Sequence, residues 1–273
     1  MKNYRGVLNT PRPDKPVENP KVVMITGATS GIGWATTLLL ASLGHRVIAV
    51  GRREDRLKEL QAAAEGMLGE VLTLQGDVAD GEQMLQVMAA GLAHFGRLDV
   101  LIANAGIAHR GALVEANWAD LETVLRTNID GVLHSVRACV PAMRASGGGH
   151  IITISSVTAV ATGPGAAIYS ASKSAVDAIA RALRVELEAD HIWVTNIWLG
   201  QTHTELAQRR LGAPGKVASK LPTMTPEKVA AQIVWAMERR KRVIILRPLD
   251  RLIIWGGRFV PRWLEKVMYR VYR

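Results

Sequence analysis

Short runs rich in β-branched residues alternate along this chain with longer segments in which apolar positions recur at helical spacing. Lys21–Thr26, Arg46–Val50, Val71–Gln75, Asp99–Ala103, His150–Ser155, Ile192–Trp198 and Val243–Leu246 read as strands. Helical stretches lie between them, among them the apolar segment Trp34–Leu43, a stretch Arg53–Glu65, and long helices near 117–146 and 166–189. Alternation of this kind implies right-handed crossovers, so the expected fold is α/β, a doubly wound parallel sheet with helices on both faces. Ligands of such sheets bind beyond the C-terminal strand ends, which is where the polar and glycine-rich segments fall.

The first of those ends carries the clearest chemistry. Val22-Val23-Met24-Ile25 runs into Thr26-Gly27-Ala28-Thr29-Ser30-Gly31-Ile32-Gly33, and a helix follows. Glycines allow a sharp turn and close approach of a ligand, while the uncapped N–H groups of the new helix face an anion. Gly27, Thr29, Ser30, Gly31, Ile32 and Gly33 are therefore candidates for cradling a dinucleotide pyrophosphate, although a glycine turn of this spacing also occurs for purely structural reasons.

Composition bounds the rest. With 273 residues and 48% apolar content, the chain supports one large core, and no low-complexity linker divides it. The only cysteine, Cys139, lies in a helical pattern as a small buried apolar residue, which excludes disulfide stapling and favours a reducing compartment. Residues 1–20 are polar, with Pro11, Pro13, Pro16 and Pro20, and read as a loose arm without the apolar core of a secretory signal. No run reaches the roughly 20 apolar residues of a membrane span. The expectation is a cytoplasmic protein, at most attached to a membrane surface. Residues 239–273 hold a formal charge of +9 and residues 1–21 one of +3, leaving −2 on residues 22–238. The high pI thus describes the two ends, and without a reader motif a nucleic-acid partner is not expected. Seven histidines without an HxxxH pair or a nearby cysteine cluster argue against a metal site.

Farther along come Gly76-Asp77-Val78, Asn104-Ala105-Gly106, Asn128, Ser156 and the pair Tyr169 and Lys173 in YSASK. With the glycine run, in this order, they resemble the short-chain dehydrogenase/reductase family over residues 21–246. The resemblance implies a single Rossmann-like catalytic domain, here 21–248, that moves hydride between a nicotinamide cofactor and a carbonyl or alcohol. Tyr169 and Lys173 stand four apart on a helix and share a face. An ammonium beside a phenol stabilises phenolate, which suits Tyr169 as general acid/base. By the resemblance, Lys173 also binds the nicotinamide ribose, Ser156 donates to the substrate oxygen, and Asn128 holds a water linked to Lys173. Ser156 as a strand-end cap and Asn128 as a mid-helix polar residue remain open readings.

The second strand ends in Gly51-Arg52-Arg53, where NAD-preferring relatives of the family carry an acid at the Gly51 position. Guanidinium groups there suit a 2′-phosphate, so NADP(H) is expected over NAD(H), through Arg52 and Arg53. Both could instead be solvated residues opening a helix. The resemblance places Asp77 and Val78 at the adenine, with a turn aspartate as the alternative. It places Asn104, Ala105 and Gly106 against the cofactor, with Ala103 replacing the family's first asparagine. After the sixth strand, Leu199-Gly200-Gln201-Thr202-His203-Thr204 departs from the usual PGxxxT by its leucine. Gly200, Thr202 and Thr204 are the nicotinamide-side candidates, and His203 reads as a substrate-loop residue.

Residues 205–225 read as a mobile lid, and Trp193, Trp198, Leu199, Leu206 and Leu211 as an apolar mouth for a hydrophobic ketone, aldehyde or alcohol, with the two tryptophans alternatively core. Residues 249–273 form a basic amphipathic tail. From Pro261 a helix carries Arg262, Lys266, Arg270 and Arg273 on one face and Trp263, Leu264, Val267, Met268 and Val271 on another. It either lies on an anionic membrane or packs on the body or a second subunit. The resemblance also implies a homo-oligomer built on the helices near 117–146 and 166–189. The reading from another class is a catalytically silent NADP(H)-binding regulator of the same fold.

Overall fold

In the computed structural model the described residues are 17–212 and 223–271. Seven strands form the central sheet: β1 (Val22–Thr26), β2 (Arg46–Gly51), β3 (Val71–Gln75), β4 (Val100–Ala103), β6 (Gly149–Ser156), β7 (Ile192–Leu199) and β9 (Val243–Ile245). Every pairing in that sheet is parallel, in the order β3-β2-β1-β4-β6-β7-β9. Two short strands, β5 (His109–Arg110) and β8 (Leu211–Gly212), pair separately. All five residues of β1 and all four of β4 are buried, as a sheet covered on both faces requires.

The helices are α1 (Gly31–Ser42), α2 (Glu54–Ala64), α3 (Gly81–Phe95), α4 (Trp118–Leu125), α5 (Gly131–Ala145), α6 (Ala167–Glu186), α7 (Pro226–Arg239), α8 (Pro248–Phe259) and α9 (Pro261–Val271). Two apolar layers result. One joins α1, α2 and α7 to one face of the sheet, through residues such as Leu39, Leu40, Leu60 and Ile233. The other joins α3, α5 and α6 to the opposite face through Met84, Val136, Cys139 and Val176. The Cys139 thiol lies among Met24 and Met88, and burial raises its pKa, so the lone cysteine is core.

Element ends follow local chemistry. Asp80 caps α3 by accepting from the amides of Glu82 and Gln83, and Gly96 closes that helix in the left-handed region. Thr225 caps α7, with Pro226 in its first turn. The helix expected across 117–146 is interrupted by a π-helical turn, Arg126–Asp130, and α6 stops at Glu186. The C-terminal helix begins at Pro248, one residue before the expected tail, and continues the packed structure. Residues 1–16 of the expected arm and 213–222 of the expected lid lie outside the described residues.

Candidate active site

The order reverses between β1 and β4, where β1 leads to β2 and β3 on one side and β4 to β6 and β7 on the other. At that point the C-terminal strand ends open on a cavity of about 1170 Å³. Gly27 turns the chain out of β1 with φ +69°, and a β-carbon there would lie 2.8 Å from Ala105 Cα, so side chains are excluded by both conformation and contact. Asn104 fixes this turn: its Nδ2 donates to Thr26 O at 2.9 Å, while Thr26 Oγ1 accepts from the amides of Asn104 and Ala105 at 3.1 Å each. Sequence reasoning passed over Thr26, whose role is visible only once β1 and β4 are adjacent. Ser30 at the N-cap of α1 makes no side-chain cap, and Ser30, Gly31 and Ile32 line the cavity. A helix N-terminus left uncapped beside a glycine turn fits a pyrophosphate.

At the end of β2, a β-carbon on Gly51 would drive into Thr29 Cγ2, so the packing at this strand end leaves no room for a carboxylate side chain. Arg53 Nη2 donates to Thr29 O at 2.9 Å and its Nη1 lies 3.4 Å from Glu205, which ties the glycine loop to the segment after β7. Arg52 is more exposed and sits 3.5 Å from Asp77 Oδ2. Asp77 Oδ1 accepts from the Ala79 amide at 3.0 Å, so its carboxylate serves the local turn as well as Arg52. Gly51, Arg52, Arg53, Asp77 and Val78 line one end of the cavity, and Asn104, Ala105 and Gly106 its floor.

The other end holds the proton-transfer candidates. Ser156 closes β6, and Tyr169 and Lys173 project from α6, which Ser155 Oγ locks to β6 by donating to Lys173 O at 3.0 Å. Ser156 hydrogen-bonds the Tyr169 phenol. Lys173 is buried, donates from Nζ to Ile154 O at 2.9 Å, and lies 5.9 Å from the centre of the Tyr169 ring. Burial pushes the Tyr169 phenol up to about 12, with the Ser156 hydrogen bond working against it, and lowers Lys173 to about 8. The expected lowering of the phenol by the neighbouring ammonium is not what dominates here: burial is the largest influence on Tyr169 and raises it.

Asn128 is fully buried in the π-helical turn, where the wider coil lets it reach across to the β4 end. Its Oδ1 accepts from the Ile107 amide at 2.8 Å, and its Nδ2 donates to Ile107 O at 3.0 Å and to Ser172 Oγ at 2.9 Å. A β-carbon on Gly106 would lie 3.2 Å from Asn128 Oδ1 and 3.4 Å from Lys173 Nζ, so the two groups flank the same small space. With both amide protons engaged, Asn128 has one carbonyl lone pair left for that space.

The segment after β7 departs from expectation in two ways. Gly200 is crowded by Arg247 and Asp250, which a β-carbon would strike, so its side-chain-free approach serves the C-terminal helix. Asp250 is fully buried and pairs with Arg247, whose Nε lies 2.8 Å from its Oδ2. These two residues and Ile253 line the cavity and were missed; the only trace in the sequence is an Arg and an Asp three apart. Second, Trp193 is exposed at the opposite end of β7 and Trp198 is buried with Nε1 donating to Asp177 at 3.2 Å, so neither forms the mouth. Leu199, Leu206, Thr202, His203 and Thr204 do line the cavity, and the β5–β8 pairing clamps residues 211–212 over it.

The sequence matches the family described as short chain dehydrogenase over residues 21–213. Glycine betaine reductase ATRR of Emericella nidulans is 33% identical over 256 residues, covering 89% of this chain but only 20% of that much longer protein. Among solved structures, a short chain dehydrogenase/reductase from Burkholderia phymatum in complex with NAD superposes with a TM-score of 0.80 at 25% identity, covering 93% of this chain and 97% of that one. The closed form of serine dehydrogenase complexed with NADP+ gives 0.76 at 31% identity, covering 84% and 95%.

Proposed function

Since this chain belongs to the short-chain dehydrogenase/reductase family and is an NAD(P)-dependent oxidoreductase acting between CH–OH and carbonyl groups, we propose that it uses NADP(H) on a hydrophobic ketone, aldehyde or secondary alcohol. The observation that carries this reading is the convergence of Ser156, Tyr169 and Lys173 on the cavity that the glycine turn also opens into, with buried Asn128 beside Lys173 at Gly106. Bound nicotinamide supplies or accepts the hydride. Tyr169 hands a proton to the oxygen of the carbonyl, or takes one from the alcohol, and Ser156 donates to the same oxygen as charge develops on it. Lys173 holds the nicotinamide ribose, and Asn128 keeps a water in line with it. Gly200, Thr202 and Thr204 would border the nicotinamide.

The preference for NADP(H) rests on Arg52 and Arg53, which border a strand end that has no acid. Leu199, Leu206, Ala161 and Ile253 on the cavity wall favour an apolar substrate. We place the enzyme in the cytoplasm as a homo-oligomer with peripheral membrane contact. Val114, in the turn before α4, and Trp118, at its start, 93% and 72% exposed, are apolar side chains available to a subunit contact on that side.

A panel of carbonyl compounds followed by NADPH absorbance tests the activity. Consumption confined to apolar ketones or aldehydes is the expected result, and no consumption across the panel would contradict it. Arg52→Ala should weaken NADPH at least tenfold while leaving NADH nearly unchanged, on the scale of one lost charged contact. Equal weakening of both would remove the 2′-phosphate assignment.

A further inference from the structure

Helix α8 is built inside out. Its inner side carries Asp250, Ile253 and Gly257, the last so close to the chain that a β-carbon would meet Val160 at 2.9 Å. Its outer side carries Leu252, Trp255 and Phe259, 66%, 58% and 65% exposed, at spacings of three and four that set them in one stripe. The Trp255 and Phe259 rings touch, 5.6 Å between centroids. Val260 and, in α9, Trp263 and Tyr269 extend this surface, while Leu264 turns inward to Ala161. So many large apolar side chains turned away from a body that offers them a core mark a surface made to be covered.

Charge identifies what covers it. Arg251, Arg258, Arg262, Lys266 and Arg270 are exposed around the stripe, against one exposed acid, Glu265. The other acid of the tail, Asp250, is buried and paired with Arg247. A second copy would bring two strongly cationic faces together, which charge opposes. An anionic lipid surface meets both features, since basic side chains find the headgroups and tryptophan sits at the apolar boundary. The 12 residues of α8 make about 18 Å of helix against a hydrocarbon core of about 30 Å, so it lies on the surface.

We propose that α8 and α9 dock the enzyme on an anionic lipid surface and admit lipophilic substrate from it, since Ile253 on the inner side of α8 is part of the cavity wall. The second half rests on the oxidoreductase reading above; the docking does not.

The test uses the full chain. Wild type should co-sediment with vesicles of phosphatidylcholine and phosphatidylglycerol, be released by high salt, and stay in the supernatant with phosphatidylcholine alone. Trp255→Ser with Phe259→Ser, and separately Arg258→Glu with Arg262→Glu, should each weaken the partition at least tenfold while NADPH titration stays at wild type, which shows that the fold is intact. Recovery of wild type in the supernatant with anionic vesicles, or wild-type binding by either double variant, would overturn the docking. So would an aromatic variant that converts a wild-type oligomer to monomer, because the face would then be a subunit interface. For a long-chain ketone presented in anionic vesicles both variants should lose kcat/KM, with a short-chain apolar ketone supplied in free solution unaffected; equal loss on both would overturn delivery. Vesicle binding without any NADPH-dependent turnover would leave the docking standing and remove the proposed activity.

Discussion

Ser156 Oγ accepts from the Thr158 amide at 3.2 Å and from the Thr158 hydroxyl at 2.9 Å. A hydroxyl with both lone pairs engaged has only its proton left to offer, so Thr158 turns Ser156 into an obligatory donor toward the Tyr169 phenol or a substrate oxygen. Thr158→Val should lower kcat roughly tenfold, the scale of one hydrogen bond, with KM and NADPH affinity nearly unchanged and Thr158→Ser restoring the rate. Wild-type kcat in the valine variant would remove the role. Tyr169 held at about 12 is protonated throughout the neutral range. Ketone reduction, which needs the phenol, should therefore be flat in kcat/KM from neutral to mildly alkaline pH, while alcohol oxidation, which needs phenolate, should keep rising. A pH profile of both directions checks this, and a falling reduction limb near neutral pH would contradict it. That Tyr169 and Lys173 share one face of α6 was legible from their spacing, and Ser156 was singled out by the family resemblance. Thr158 and Thr26 were not, because a hydroxyl that orients its neighbour carries no pattern of its own, and the phenol's shift was misread because it depends on burial.

The parallel strands were legible within a residue or two at each end, since long apolar runs between helical segments leave few alternatives. Helix α8 was not. Its outward stripe carries the largest side chains, so the apolar periodicity points away from the face that packs, and two glycines and an aspartate make the contact instead. The ion pair of Arg247 and Asp250 over Gly200 makes α8 part of the cavity wall. Asp250→Ala should cost about 3–5 kcal/mol by removing the fully buried carboxylate that pairs with the Arg247 guanidinium, read as a lower denaturant midpoint. It should also weaken NADPH, because the Gly200 turn loses its backing. A loss of stability with NADPH affinity untouched would confine the pair to folding.

Across the whole molecule, two apolar layers cover one sheet, and the site lies at the switch in strand order. His45 and His150 are buried beside that sheet, and both are lowered to about 4, chiefly by desolvation. Their folded values lie below the unfolded value near 6.5, so the unfolded chain takes up protons first. Stability should be full above about pH 6.5 and fall as pH drops toward 4, by up to roughly 3 kcal/mol per histidine. Urea midpoints across that range check it; no change, or a gain on acidification, would contradict it. What unites the layers, the switch and the cavity is the placement of one phenol across a single cavity from the glycine turn. The most direct measurement is NADPH-dependent turnover and NADPH affinity of Tyr169→Phe in parallel. The expected result is a loss of roughly 10²- to 10⁴-fold in kcat with NADPH binding as in wild type. Undiminished turnover by the phenylalanine variant would contradict the account.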